Sequence, residues 1–183
     1  MFSKKRCAVF LLLSGLAFMT PASARQWSPD AKAAALDYTQ ILHSKGGNEI
    51  VFLWWVVPET FPASPNSQPI LDALSRYVIL GVAHGHSNPG APMSFDNIAD
   101  LRITDQTSRS ISALGTNVIP PEAAQAIGSV RTLAQQSLGA IGQGMRWFVF
   151  DGSTIHSCAA GKMSVPFAGE TYSFDTPIPG CAK

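Results

Sequence analysis

Ile50-Val51-Phe52-Leu53-Trp54-Trp55-Val56-Val57 is an uninterrupted apolar run that Pro58 brings to an end. Apart from Leu53, every residue in it is β-branched or aromatic. The run is short for a helix and well suited to a strand buried on both faces. Adjacent strand residues point to opposite faces, so Trp54 and Trp55 enter different layers and at most one can line a given pocket. Both as core residues is the plainer reading.

Downstream, Pro58, Pro62, Pro65 and Pro69 punctuate a loop that sustains neither ladder nor helix. Ile70, Leu71, Leu74, Tyr77 and Val78 then follow helical spacing, and Val78 to Ala83 is a second apolar strand. Strand, helix and strand in this order suggest a βαβ crossover with the two strands parallel. Upstream, Ser28, Pro29 and Asp30 are helix-start signals, and Ala34, Ala35, Tyr38, Ile41 and Leu42 share one helical face. Gly46-Gly47 would stop that helix, giving an expected span from Pro29 to Ser44.

Further along, His84 to Asn97 reads as a loop, Leu101 to Thr104 as a short strand, and Thr104 to Asn117 as an exposed polar loop. Within that region Arg102, Asp105 and Arg109 read as solubilising charges sooner than as an anion site. Pro120-Pro121-Glu122 opens a long helix carrying Ala123, Ile127, Val130, Ala134, Leu138 and Ile141 at helical spacing, and Gly139, Gly142 and Gly144 end it. Those glycines follow a helix, whereas a phosphate cradle needs them to open one. Asp151-Gly152 signals a hairpin between Arg146–Phe150 and Ser153–Ala159. Ala168-Gly169 turns Met163–Phe167 into Thr171–Phe174. The expectation is one α+β domain over residues 25–183 with a mixed sheet: a βαβ-like N-terminal half, a long helix and a C-terminal antiparallel meander. Val51, Leu53, Val56, Ile79, Leu80, Ile127, Val130 and Phe148 are its expected core.

The first 24 residues read as a secretory signal peptide. Lys4, Lys5 and Arg6 form a charged start, Ala8 to Met19 an apolar stretch, and Ala22-Ser23-Ala24 a cleavage site. The apolar stretch is too short for a membrane anchor, and no later segment approaches a span. The expected product begins at Arg25 and works in the periplasm or as a secreted protein. Three of the 13 basic residues leave with the leader, so the 12 acidic ones outnumber the remaining ten and the net charge becomes −2. Without a basic cluster, nucleic acid is not an expected partner. Cys7 also leaves, and Cys158 and Cys181 remain. An oxidising compartment and a spacing unlike C-x-x-C point to a structural disulfide, worth ~3 kcal/mol in the loop-entropy description.

The chemistry concentrates in Val78 to Pro92, VILGVAHGHSNPGAP. His84 and His86 at alternate strand positions share a face and can grip one divalent metal such as zinc. The stretch resembles the first half of the H-x-H-x-D-H motif of the metallo-β-lactamase fold, with Asn88 and Pro89 standing where Asp and His would be. It also resembles the G-x-S-x-G nucleophile elbow around Ser87, except that Pro89 replaces the last glycine. Asp151 and His156 would be the partners of such a serine. No resemblance covers enough of the chain to assign a family.

His156, Asp96 or Asp100 could complete a metal site if the fold brings them close. A small-ligand site would lie around His84, His86 and Asn88, at the carboxyl end of the second buried strand. Against both stands the plain alternative of polar residues at a strand end. Three functional classes follow. The preferred one is an exported binding or accessory protein without an intact catalytic motif, whose partner is a small ligand or an envelope protein. The second is a metal-binding protein or metal-dependent hydrolase using His84 and His86, and the third a partner-binding component of a cell-envelope assembly.

Overall fold

The computed structural model describes residues 38–44, 47–61, 64–155 and 163–175. The leader, most of the expected first helix, His156, Cys158 and Cys181 lie outside the described residues. Nine strands, β1 (Thr39–His43), β2 (Glu49–Val56), β3 (Tyr77–His86), β4 (Ser94–Phe95), β5 (Arg102–Thr104), β6 (Ser110–Ser112), β7 (Arg146–Asp151), β8 (Met163–Phe167) and β9 (Glu170–Phe174), form two sheets. The helices are α1 (Gln68–Arg76), α2 (Pro121–Leu138) and α3 (Ala140–Gly144). The fold is α+β.

β3 is the central strand of the larger sheet. One edge pairs with β2 along its length, from Glu49↔His86 to Val56↔Ile79, and β1 pairs outside β2. The other edge of β3 is shared by β7, over Tyr77 to Val82, and by β4, at Gly85 and His86. The smaller sheet has the order β6-β5-β8-β9.

Alternation along β2 and β3 sends side chains into two separate cores. Val51, Leu53 and Trp55, with Val78, Leu80 and Val82, pack against Ile103, Met163, Val165 and Phe174 of the smaller sheet. Phe52, Trp54, Val56, Ile79 and Ala83 pack against α1 and α2 through Ala73, Leu74, Ala126, Ile127 and Val130. The result is three layers: helices, the larger sheet, the smaller sheet. Trp55 meets Tyr38 and Phe174 edge-on at 5.0 and 5.8 Å, whereas Trp54 meets Trp147 at 5.9 Å on the helical side. Of the expected core, seven residues are buried and Phe148 is partly so.

Every strand pair among the described residues is antiparallel, which corrects the expected parallel crossover and the mixed sheet. A parallel return must travel back along β2, roughly 27 Å for its eight residues. The nine-residue α1 spans only about 13 Å and runs without a loop into Tyr77. The loop from Val57 to Ser67 does not make up the distance either, and β3 starts beside the end of β2, with Val56 opposite Ile79.

Four further expectations change. Thr39 to His43 form an edge strand, where a helix through Ser44 was expected, because β2 offers an unpaired edge and Tyr38 docks on Trp55. The supposed loop from His84 begins as strand, since β3 runs to His86 and meets β4. The region from Thr104 to Asn117 contains β6, and Asp105 within it is buried. Its Oδ1 accepts the Thr107 and Arg109 amides at 2.8 and 3.0 Å and the Thr107 hydroxyl at 2.7 Å, while Oδ2 accepts the Thr154 hydroxyl at 3.1 Å. Asp105 ties the β5–β6 turn down and recognises no anion.

Among the described residues Asp151-Gly152 makes no hairpin, the end of its expected second arm (156–159) lying outside them: β7 pairs with β3 and Gly152 donates its N–H to the Arg76 carbonyl at 3.0 Å. A Cβ on Gly152 would lie 2.5 Å from that carbonyl oxygen, so close approach is what demands glycine there. The Ala168-Gly169 hairpin forms as expected, with both residues at positive φ, 49° and 79°. Among the described residues no helix is long and apolar enough to cross a membrane.

Candidate metal centre

Val78, Leu80, Val82, His84 and His86 occupy one face of β3, the face turned toward the smaller sheet. The first three are buried in the core between the sheets, and the two histidines continue the row to its open end. The His84 ring rests edge-on against Phe167 of β8 at 5.7 Å and lies 4.6 Å from the His86 ring. His84 is thus nearly enclosed, with 12% of its side chain exposed, while His86 is 38% exposed.

Two carboxylates close on this pair from opposite sides. Glu49 starts β2 and faces His86 in the β2–β3 register, from where its Oε1 reaches His84 Nε2 at 2.5 Å. Asp96 follows β4, and its N–H donates to the His84 carbonyl at 2.9 Å, which fixes the backbone beside the cluster. Asp96 Oδ2 lies 2.8 Å from His84 Nδ1 and Oδ1 lies 3.1 Å from His86 Nε2. The hydrogen bond from His86, with the nearby imidazoles adding their charge, holds the Asp96 carboxyl below the usual carboxylate range against the opposing effect of burial.

Both nitrogens of His84 face a carboxylate oxygen. A neutral imidazole has one N–H and one lone pair, so it can satisfy only one ionised carboxylate. Protonation of His84 would satisfy both carboxylates, and so would a metal ion: Nδ1 would give its lone pair to the ion while Nε2–H donated to Glu49, the arrangement in which an outer carboxylate orients a ligating histidine. Ligand atoms of His84, His86 and Asp96 all lie within 4.8 Å of one another. Tetrahedral zinc with bonds near 2.0–2.1 Å spaces its ligands by about 3.3 Å, so the two hydrogen-bonded contacts need open by only a few tenths of an ångström. Two nitrogens and a carboxylate suit a borderline transition metal better than calcium or magnesium, which take oxygen.

Of the residues named from sequence, His84, His86 and Asp96 come together here. Asn88 does not: it is exposed, and its carbonyl accepts the Ala91 N–H at 3.1 Å in a turn. Asp100 lines a separate cavity. His156 lies outside the described residues. The carboxylate that the half-motif lacks at Asn88 comes instead from Asp96, across the β3–β4 turn. Ser87 donates its backbone N–H to Asn48, and among the described residues no histidine or carboxylate hydrogen-bonds its hydroxyl, while the Asp151 carboxylate is taken by the Ser153 N–H. Among the described residues the nucleophile-elbow reading therefore has no base, and His156, the base it called for, lies outside them.

Sequence reasoning missed Glu49. Its role depends on the antiparallel register, and a parallel β2–β3 pair would have placed it at the far end of the strand from His86. No family model, curated protein or solved structure matches the chain.

Proposed function

We propose that the protein binds a divalent transition-metal ion through His84 Nδ1, His86 Nε2 and an Asp96 carboxylate oxygen, and that it serves outside the cytoplasm as a metal-binding accessory protein. One observation carries the reading: His84, His86 and Asp96 bring three ligand atoms within 4.8 Å of one another, with Glu49 placed behind His84 to accept its Nε2–H. Three protein ligands leave a fourth position for water or for a donor from a partner. The half-open His86 and exposed Asp96 put that position within reach of solvent. Export rests on the leader-like first 24 residues, and on the same reading Cys158 and Cys181 pair as a disulfide.

Titration of the metal-stripped exported protein with Zn2+, and with Co2+ as an optical reporter of coordination, tests the site. One equivalent should bind, and a His84→Ala/His86→Ala variant should lose that binding. Equal affinity in the two proteins would remove the histidines as ligands. The intact mass of the exported product should start at Arg25, and retention of residues 1–24 would remove the export reading without touching the metal site.

A further inference from the structure

α2 ends at Gly139, whose φ of 54° and ψ of −123° let the chain reverse at once into α3. Gly142 then packs so tightly on α2 that a Cβ would lie 2.1 Å from the Ala134 carbonyl oxygen. The reversal brings Gln143 of α3 and Arg146, the first residue of β7, to the same cavity as Arg131 and Gln135 of α2. Arg131 and Gln135 are four apart and share a helix face. The cavity measures about 740 Å3, within the range of small-molecule sites. Ile98, Leu114, Ile119, Met145, Trp147 and Phe148 give it an apolar wall.

Its polar groups are poorly matched from within the protein. Asp100 is the single carboxylate on the wall and makes no ion pair with either arginine. Arg146 donates to the neutral Asn97 amide oxygen at 3.0 Å, and among the described residues Arg131 has no hydrogen-bond or ion-pair partner. The Trp147 indole N–H is buried with no acceptor among the described residues. The indole is also held in place. It meets Trp54 at 5.9 Å, and its benzo edge covers Gly81 so closely that a Cβ there would lie 2.9 Å from Cζ3.

We infer that this cavity binds a small organic oxyanion: a carboxylate, sulfonate or phosphate monoester carried on an apolar or aromatic body. The two guanidinium groups take the charged end through charge-assisted hydrogen bonds, and Gln135 and Gln143 donate beside them. The wall takes the body. This site uses none of the metal ligands and stands independently of them.

The probe pair 8-anilinonaphthalene-1-sulfonate and its neutral counterpart N-phenyl-1-naphthylamine tests the inference on the exported protein, read by probe fluorescence and quenching of tryptophan emission. The sulfonate should saturate at one equivalent. An Arg131→Gln/Arg146→Gln variant should weaken the sulfonate about tenfold or more while leaving the neutral probe unchanged. The exposed Arg131→Gln single variant, which breaks no contact among the described residues, should show part of the loss in a protein with unaltered melting. Absence of saturable sulfonate binding, or equal effects on both probes, would overturn the proposal. So would loss of the sulfonate in Leu133→Asp, since Leu133 lines a different groove, the apolar one shared with Ile41 and Trp54.

Discussion

Glu49 Oε1 and His84 Nε2 lie 2.5 Å apart across the β2–β3 ladder, although 35 residues separate them in the chain. The contact orients the His84 ring so that Nδ1, the other nitrogen, faces Asp96. On the proposed metal reading, Glu49 is an orienting group for the ligand His84 and not a ligand itself. Glu49→Gln should keep the fold and lower Zn2+ affinity about 10–100-fold, the usual effect of removing such an outer carboxylate. Competition with a chromophoric chelator measures it. Wild-type affinity in the variant would detach Glu49 from the site.

Acid should act on the β5–β6 turn. The Thr107 hydroxyl, with the Arg109 and Thr107 amides and the Thr154 hydroxyl, holds Asp105 below the usual carboxylate range, outweighing the opposing effect of burial. The folded protein thus binds this proton less readily than the unfolded chain does. The resulting stability is present above the unfolded carboxylate value near 3.9 and is lost as pH falls through the lower folded value. Asp105→Asn should melt lower than wild type at pH 7, and the gap should narrow in strong acid. Equal melting of the two proteins at neutral pH would show that the turn does not need the charge.

Leu53 is fully buried between the sheets. Leu53→Ala should cost about 2–5 kcal/mol in chemical denaturation, the range for a large-to-small change in a packed core. A cost below that range would mean that the two sheets close over the vacated space.

Two helical glycines should respond in opposite directions. Nothing lies within 4 Å of a Cβ built on Gly128 of α2, so Gly128→Ala should stabilise by about 0.5–1 kcal/mol through helix propensity alone. Gly142→Ala drives a methyl into the Ala134 backbone and should destabilise by about 1–3 kcal/mol, as overpacking does. Thermal melts of the two variants make the comparison, and a stable Gly142→Ala protein would contradict the tight α2–α3 seam.

Local pattern alone determined a good deal of this protein. Continuous apolar runs with β-branched and aromatic residues specify strands at Ile50–Val57 and Val78–Ala83 whatever their partners, because they are too short for a buried helix and suit a strand covered on both faces. Proline at the start and glycine at the end delimited α2 in the same way, and alternation separated Trp54 from Trp55. H-x-H on a strand already put His84 and His86 on one face. Tertiary structure decided the rest, since pairing direction, edge partners and the company of each polar group depend on contacts distant in the chain. The chain after β2 returns beside its end, so β3 pairs antiparallel to it, and only that register carries Glu49 to His84. The free edge of β2 drew Thr39–His43 out of helical spacing into a strand. Asp96 reached the histidines because β4 folds back on β3, a short-range turn whose two strand residues carry too weak a pattern to be read before the sheet they join is known.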